Sequence, residues 1–165
     1  MIQKKVCMLG GFAVGKTSLV ARFVTSIFSD KYLTTVGVKI EKKSVDVEGE
    51  QVDLVIWDIY GDDDFQKVRM SYVRGASGYL LVADGTRSTT LDTARALQDS
   101  VQRTLGAVPF ILVLNKADLV DQWALDESNL GLLAKHGGQI VRTSAKTGQG
   151  VEQTFAALAR VMRKA

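Results

Sequence analysis

Residues 10 to 17 read GGFAVGKT and fit the pattern G-x-x-x-x-G-K-[ST], a phosphate-binding loop. Gly10 and Gly15 let the backbone curl so that successive N–H groups point inward, and the helix that follows adds its positive N-terminal end to the same cavity. Lys16 is placed to reach the β and γ phosphates of a nucleotide, and the Thr17 hydroxyl to ligate Mg²⁺. The competing reading is a glycine turn with a chance lysine. Context weighs against it: the motif follows the apolar run Val6 to Leu9 and leads into Ser18 to Val24, a strand-to-helix junction.

A phosphate loop does not choose between ATP and GTP. NKAD, Asn115 to Asp118, supplies a carboxylate at Asp118 that can accept two hydrogen bonds from guanine N1–H and its exocyclic amine, a donor pair that adenine lacks on that edge. A polar partner left unpaired by the wrong base discriminates steeply, which favours guanine. TSAK, Thr143 to Lys146, adds a backbone N–H at Ala145 that can donate to guanine O6. Each tetrapeptide alone is a weak signal. Together, at the ends of consecutive strands and after a phosphate loop and a D-x-x-G, they are a strong one.

The elements that must position these residues are legible from periodicity. Lys4 to Leu9 reads as a strand buried on both faces, and Lys16 to Thr25 as the first helix. Ser26 to Gly37 lacks a clear period and reads as a long loop, a length usually tied to function. Val38 to Val47 and Gln51 to Trp57 form a hairpin about Glu48-Gly49, so one strand runs antiparallel. LVIWD, Leu54 to Asp58, ends in an aspartate at the carboxyl edge where open α/β sheets bind ligands. Tyr60 to Arg74 opens on the acidic run Asp62-Asp63-Asp64 and continues as an irregular amphipathic stretch with a short helix.

Tyr79 to Asp84 reads as a buried strand. Thr90 to Leu105 is an amphipathic helix, with Leu91, Ala94, Leu97, Val101 and Leu105 at spacings of three and four. Phe110 to Asn115 is a buried strand, about Asp126 to His136 a helix, Gln139 to Arg142 a short strand, and Val151 to Arg163 a closing helix. His136, near a helix end, reads as a surface residue facing the dipole rather than a ligand. Alternating strands and helices predict an α/β fold with a mainly parallel sheet covered on both faces. The phosphate loop, Thr35, Asp58, Asn115 and Ser144 then converge on one sheet edge.

With 165 residues and no repeat or low-complexity tract, residues 1 to 165 read as one domain. The net charge of +3 is too diffuse to argue for nucleic acid, and the basic residues read as a solvated surface. Cys7 is the only cysteine, so no internal disulfide forms and a reducing, cytoplasmic location is expected, with burial as its role. The sequence shows no secretory pattern and no apolar run near the ~18 residues of a membrane span. Ile2 excludes myristoylation, and the final RVMRKA offers no prenylation cysteine, so no direct membrane anchor is expected in these residues.

These motifs are similar to those of the Ras superfamily of small GTPases, closest to its Rab branch. The resemblance runs through GGFAVGKT, TTVG (Thr34 to Gly37), WDIYG (Trp57 to Gly61), SYVRGASG (Ser71 to Gly78), NKAD and TSAKTGQGVEQTF (Thr143 to Phe155). It implies the small G domain, a three-layer P-loop NTPase with a six-stranded, mostly parallel sheet, one strand antiparallel, and GTP or GDP bound with Mg²⁺. By position, Gly10, Phe12, Ala13, Val14, Gly15, Lys16, Thr17 and Ser18 would surround the phosphates. Thr35 would meet Mg²⁺ and the γ-phosphate, Asp58 would hold Mg²⁺ through water, and the Gly61 N–H would touch the γ-phosphate. Phe28, Tyr32, Asn115, Lys116, Asp118, Leu119, Ser144, Ala145 and Lys146 would complete the nucleotide site. Lys16, Thr35, Gly61 and Asp62 would serve hydrolysis. A monomer is implied, meeting effectors and any exchange or activating protein through Thr34 to Lys39 and Tyr60 to Tyr72. Loss of the γ-phosphate would release both loops, an order-to-disorder switch.

The departures concentrate on hydrolysis. Relatives carry WDTAGQE where this chain has WDIYGDD, so Asp62 replaces the glutamine that positions water. An ionised Asp accepts a hydrogen bond from water but donates none to the charge developing on the phosphoryl group. Tyr60 replaces a small residue, and Phe12 stands where some relatives require glycine. Bulk at either place could obstruct an arginine supplied in trans, a contribution of roughly 10³ to 10⁵ in rate. The opposing reading has Phe12 and Tyr60 turned outward and Asp62 tolerated in a loop, with Asp63 and Asp64 a solvated turn. Two functions therefore stand open: a switch with slow hydrolysis, or a nucleotide-binding module that does not hydrolyse. A P-loop ATPase or nucleotide kinase ranks third, because NKAD and TSAK would have no role in it.

Overall fold

The computed structural model describes residues 2–25, 38–59, 70–125, 130 and 139–164. Within them the chain forms β1 (Ile2–Gly10), α1 (Lys16–Thr25), β2 (Val38–Val47), β3 (Glu50–Ile59), β4 (Gly78–Asp84), α2 (Thr89–Leu105), β5 (Phe110–Asn115), β6 (Gln139–Arg142) and α3 (Val151–Lys164). The six strands make one sheet in the order β2-β3-β1-β4-β5-β6. Only β2 is antiparallel to its neighbour. The turn between β2 and β3 has positive φ at both Glu48 (53°) and Gly49 (85°), the two-residue hairpin geometry whose twist matches the strands it joins.

Helix α1 and strands β5 and β6 fall where the apolar pattern puts them. Other ends extend further. β3 runs to Ile59 rather than Trp57 because Asp58 and Ile59 pair with Lys39 and Val38 across the hairpin. β1 starts at Ile2 rather than Lys4 because it keeps pairing with Val52 and Asp53. Of residues 60 to 74 only 70–74 are described, and they open on one turn of 3₁₀ helix, Met70–Tyr72. The expected loop over 26–37 lies outside the described residues, and so does the expected helix over 126–136, His136 included, except for Leu130, which is buried in the core on the α2 face of the sheet.

Side chains alternate across the sheet and build a core on each face. On one face Val6, Met8, Leu54, Ile56, Leu80 and Val82 meet α1 and α3. There Phe23 of α1 stacks on Phe155 of α3 with ring centroids 3.9 Å apart, and Leu158 and Met162 continue the same stripe. On the other face Cys7, Leu9, Leu81, Ala83 and Leu112 meet Leu91, Ala94 and Val101 of α2. Both faces of the parallel strands are therefore dry, which leaves the strand ends as the place for polar chemistry. The carboxyl ends of β1, β4 and β5 lie level, with Gly10 beside Val82 and Asp84 beside Asn115.

Candidate functional site

The loop between β1 and α1 is shaped by close approach. A Cβ on Gly10 would lie 2.5 Å from the Val82 carbonyl oxygen, so only glycine lets β1 turn there against β4. Gly15 has φ of 103° and its missing Cβ leaves room for the Asn115 amide; Ala13 is also left-handed, at φ of 58°. Alternation of this kind makes a concave nest of backbone N–H groups, suited to an anion. Lys16 opens α1, is 7% exposed, and donates from Nζ to the Gly10 carbonyl at 3.0 Å. Burial pushes its ammonium below the usual lysine range, and Asp58 pulls it back toward the charged form. An anion in the cradle would favour the charged form further.

The Thr17 hydroxyl donates to Asp58 Oδ2 at 2.7 Å, so a helix N-terminus and the end of β3 bring two oxygen groups together beside Lys16. Among the described residues no group of three or more His, Cys, Asp or Glu side chains gathers to hold a metal. One hydroxyl and one carboxylate suit Mg²⁺, which is held by few protein oxygens together with water and phosphate oxygens. The residues present therefore fit the ion.

The segment after β5 is tied into the same loop. Asn115, buried, donates from Nδ2 to the Val14 carbonyl at 3.0 Å and accepts from Thr143 Oγ1 at 3.0 Å. Lys116, itself at φ of 69°, donates to the Ala13 carbonyl at 3.1 Å and pairs with Asp84 Oδ2 at 2.7 Å. Asp118 accepts from the Ser144 hydroxyl at 2.7 Å, and the Ala117 N–H donates to the Thr143 carbonyl at 2.9 Å. The two loops that carry NKAD and TSAK are thus laced together, with Ala145 buried, Leu119 half-buried and Lys146 exposed.

Asp84 closes β4 and is fully buried. It accepts from the Thr86 N–H and hydroxyl, from Arg87 Nε at 3.0 Å and from Lys116. Burial alone would raise its carboxyl, but the hydrogen bonds from Lys116, Thr86 and Arg87 outweigh it and hold the group below the usual carboxylate range.

The described structure brings together Gly10, Ala13, Val14, Gly15, Lys16, Thr17, Asp58, Asn115, Lys116, Asp118 and Ser144. Ser18 is half-buried in the first turn of α1, and Phe12 is 41% exposed. Phe28, Tyr32, Thr35, Tyr60, Gly61 and Asp62 lie outside the described residues. Sequence reasoning missed Thr143 as the partner of Asn115, and it missed Asp84 and Arg87. Asp84 had a signal, since YLLVAD ends in an aspartate just as LVIWD does. Arg87 had none.

A six-stranded sheet of this order, with a phosphate loop after its first strand, defines the small G domain among P-loop NTPase folds. The model of the Ras family matches residues 5–164. Ras-related protein Rab-13 from Canis lupus familiaris is 33% identical over 94% of this chain and 78% of its own length. Ras-related protein RABE1e from Arabidopsis thaliana is 33% identical over 97% of this chain and 75% of its own. GTP-binding protein YPTM1 from Zea mays is 34% identical over 97% and 78%. The chain belongs to the Ras family of small GTPases and is Rab-like.

Proposed function

We propose that this chain is a guanine-nucleotide switch that binds GTP and GDP with Mg²⁺, hydrolyses GTP slowly to GDP and phosphate, and controls partner binding through two loops. The observation that carries this reading is the pair of bonds from Asn115 and Lys116 to the Val14 and Ala13 carbonyls. They join a base-reading segment to a phosphate cradle, so that one rigid unit meets both ends of a nucleotide.

In this reading Asp118, oriented by Ser144, accepts from guanine N1–H and its amine, and the Ala145 N–H donates to O6. Asn115 and Lys116 would brace and cover the base, Phe28 would pack near the guanine, and Tyr32, Leu119 and Lys146 would complete the nucleotide site. The N–H groups from Ala13 to Ser18 and the Lys16 ammonium hold the phosphates. Hydrolysis is mostly positioning and charge: Lys16 and the Gly61 N–H stabilise negative charge developing on the transferred phosphoryl group. Thr17, Thr35 and, through water, Asp58 would hold Mg²⁺, which would supply neutralisation of charge on the phosphate oxygens. Asp62 orients water only as an acceptor, which slows attack. Phe12, exposed on the phosphate loop, hinders an arginine brought by another protein. Effectors and exchange or activating proteins use residues 34–39 and 60–72, and one G domain spans residues 1–165. No helix among the described residues is long and apolar enough to cross a membrane. The non-hydrolysing alternative finds no support in the family comparison.

Single-turnover hydrolysis of GTP by the purified protein decides the catalytic part. An intrinsic rate at or above about 10⁻⁴ s⁻¹ contradicts slow hydrolysis. Titration calorimetry with GDP decides the rest: lack of affinity for it defeats the whole reading.

A further inference from the structure

Three consecutive carbonyls of the phosphate loop are each held by a side chain from outside it. Arg87 Nη2 donates to Phe12 at 2.7 Å, Lys116 Nζ to Ala13 at 3.1 Å, and Asn115 Nδ2 to Val14 at 3.0 Å. Across a planar trans peptide the C=O and the next N–H point in opposite directions. Fixing these carbonyls therefore aims the Ala13, Val14 and Gly15 N–H groups to the opposite side of their peptides. Asn115 and Lys116 belong to NKAD, whereas Arg87 belongs to no motif and sits in the turn between β4 and α2.

We propose that Arg87 is a positioning residue of the nucleotide site: by holding the Phe12 carbonyl it aims the Ala13 N–H at the bound phosphates and slows nucleotide release. The proposal rests on the guanine-nucleotide reading above.

The arginine is itself held on two sides. Its Nε donates to Asp84 Oδ2 at 3.0 Å, so the planar fork joins the buried carboxylate to the loop carbonyl with both directions fixed. Its backbone is pinned as well, with its N–H on the Asp84 carbonyl at 3.0 Å and its carbonyl accepting from Thr90 Oγ1 at 2.7 Å. Asp84 Oδ2 is shared with Lys116, so one carboxylate aligns two cations that serve neighbouring carbonyls. Two cations on one anion leave a net positive charge behind the loop, which favours an anion in front of it.

The test is release of a fluorescent GDP analogue from Arg87→Ala, Arg87→Lys and unmodified protein. Arg87→Ala is expected to release it about tenfold faster, the scale of one charge-assisted hydrogen bond. Arg87→Lys keeps the charge but loses the fork, so its release stays faster than that of the unmodified protein. Two readouts separate positioning from general loosening. Millimolar guanidinium restores slow release to Arg87→Ala, and the preference for GDP over inosine diphosphate, which reports on Asp118, stays unchanged. In carbonyl-labelled protein the Phe12 resonance moves upfield on loss of its hydrogen bond. Release from Arg87→Ala at the unmodified rate overturns the proposal while leaving the switch reading intact. Failure of the unmodified protein to bind the analogue overturns both.

Discussion

The Ser144 hydroxyl donates to Asp118 Oδ1 at 2.7 Å, although the two residues belong to loops after different strands. The same hydroxyl oxygen accepts from the Thr147 N–H at 3.1 Å, which fixes the direction of its own proton. Asp118 is therefore presented with one oxygen engaged and its plane set. Ser144→Ala removes that orientation without touching a base directly. GDP affinity is expected to fall about threefold to tenfold, the range of one ordinary hydrogen bond. Titration calorimetry checks it, and unchanged affinity would show that Asp118 needs no alignment.

Asp84 gives a pH signature. Its carboxyl lies below the usual range in the folded chain, so the unfolded chain binds a proton more readily. Its contribution to stability is complete above the unfolded pKa of about 3.9 and is lost as pH falls through the lower folded value. Asp84→Asn should cost about 1 to 3 kcal/mol at pH 7, because Lys116 and Arg87 lose a charged acceptor. The gap between variant and unmodified protein should close progressively below about pH 4. Urea unfolding across that range measures it. A gap independent of pH would mean that packing, not charge, is what the substitution disturbs.

Cys7 reports on the integrity of the sheet. It lies in β1 without solvent exposure, its Sγ 3.8 Å from the Tyr72 carbonyl oxygen, and burial pushes the thiol up to about 11. Near pH 8 it should remain protonated and unreactive toward a thiol-specific dye until the sheet opens. Labelling should then track unfolding in denaturant. Rapid labelling of the native protein would contradict its position between β3 and β4.

The parts of this architecture that were legible beforehand are those in which side-chain period and burial agree. FILVLN and the Leu91 to Leu105 stripe declare themselves because dry faces require unbroken apolar residues. Strand ends are less visible, since Asp58 and Ile59 are held by pairing with β2, a relation that local pattern does not carry. Asn115, Lys116 and Asp118 could be nominated because their types suit a base. Their bonds to the loop carbonyls could not, and neither could the bond from Arg87 to Phe12, which joins residues 75 apart in the chain. Such contacts depend on sheet order, and sheet order is set by the whole core.

The bonds that close the site span most of the polypeptide. Asn115 meets Val14 across 101 residues, Lys116 meets Ala13 across 103, and Arg22 of α1 reaches the Thr147 carbonyl across 125. During synthesis from the N-terminus the phosphate loop emerges early but lacks every one of these partners until residues 115 to 147 have left the ribosome. The contacts that shape the cradle therefore form only after most of the chain has been made, which places completion of this loop late in folding.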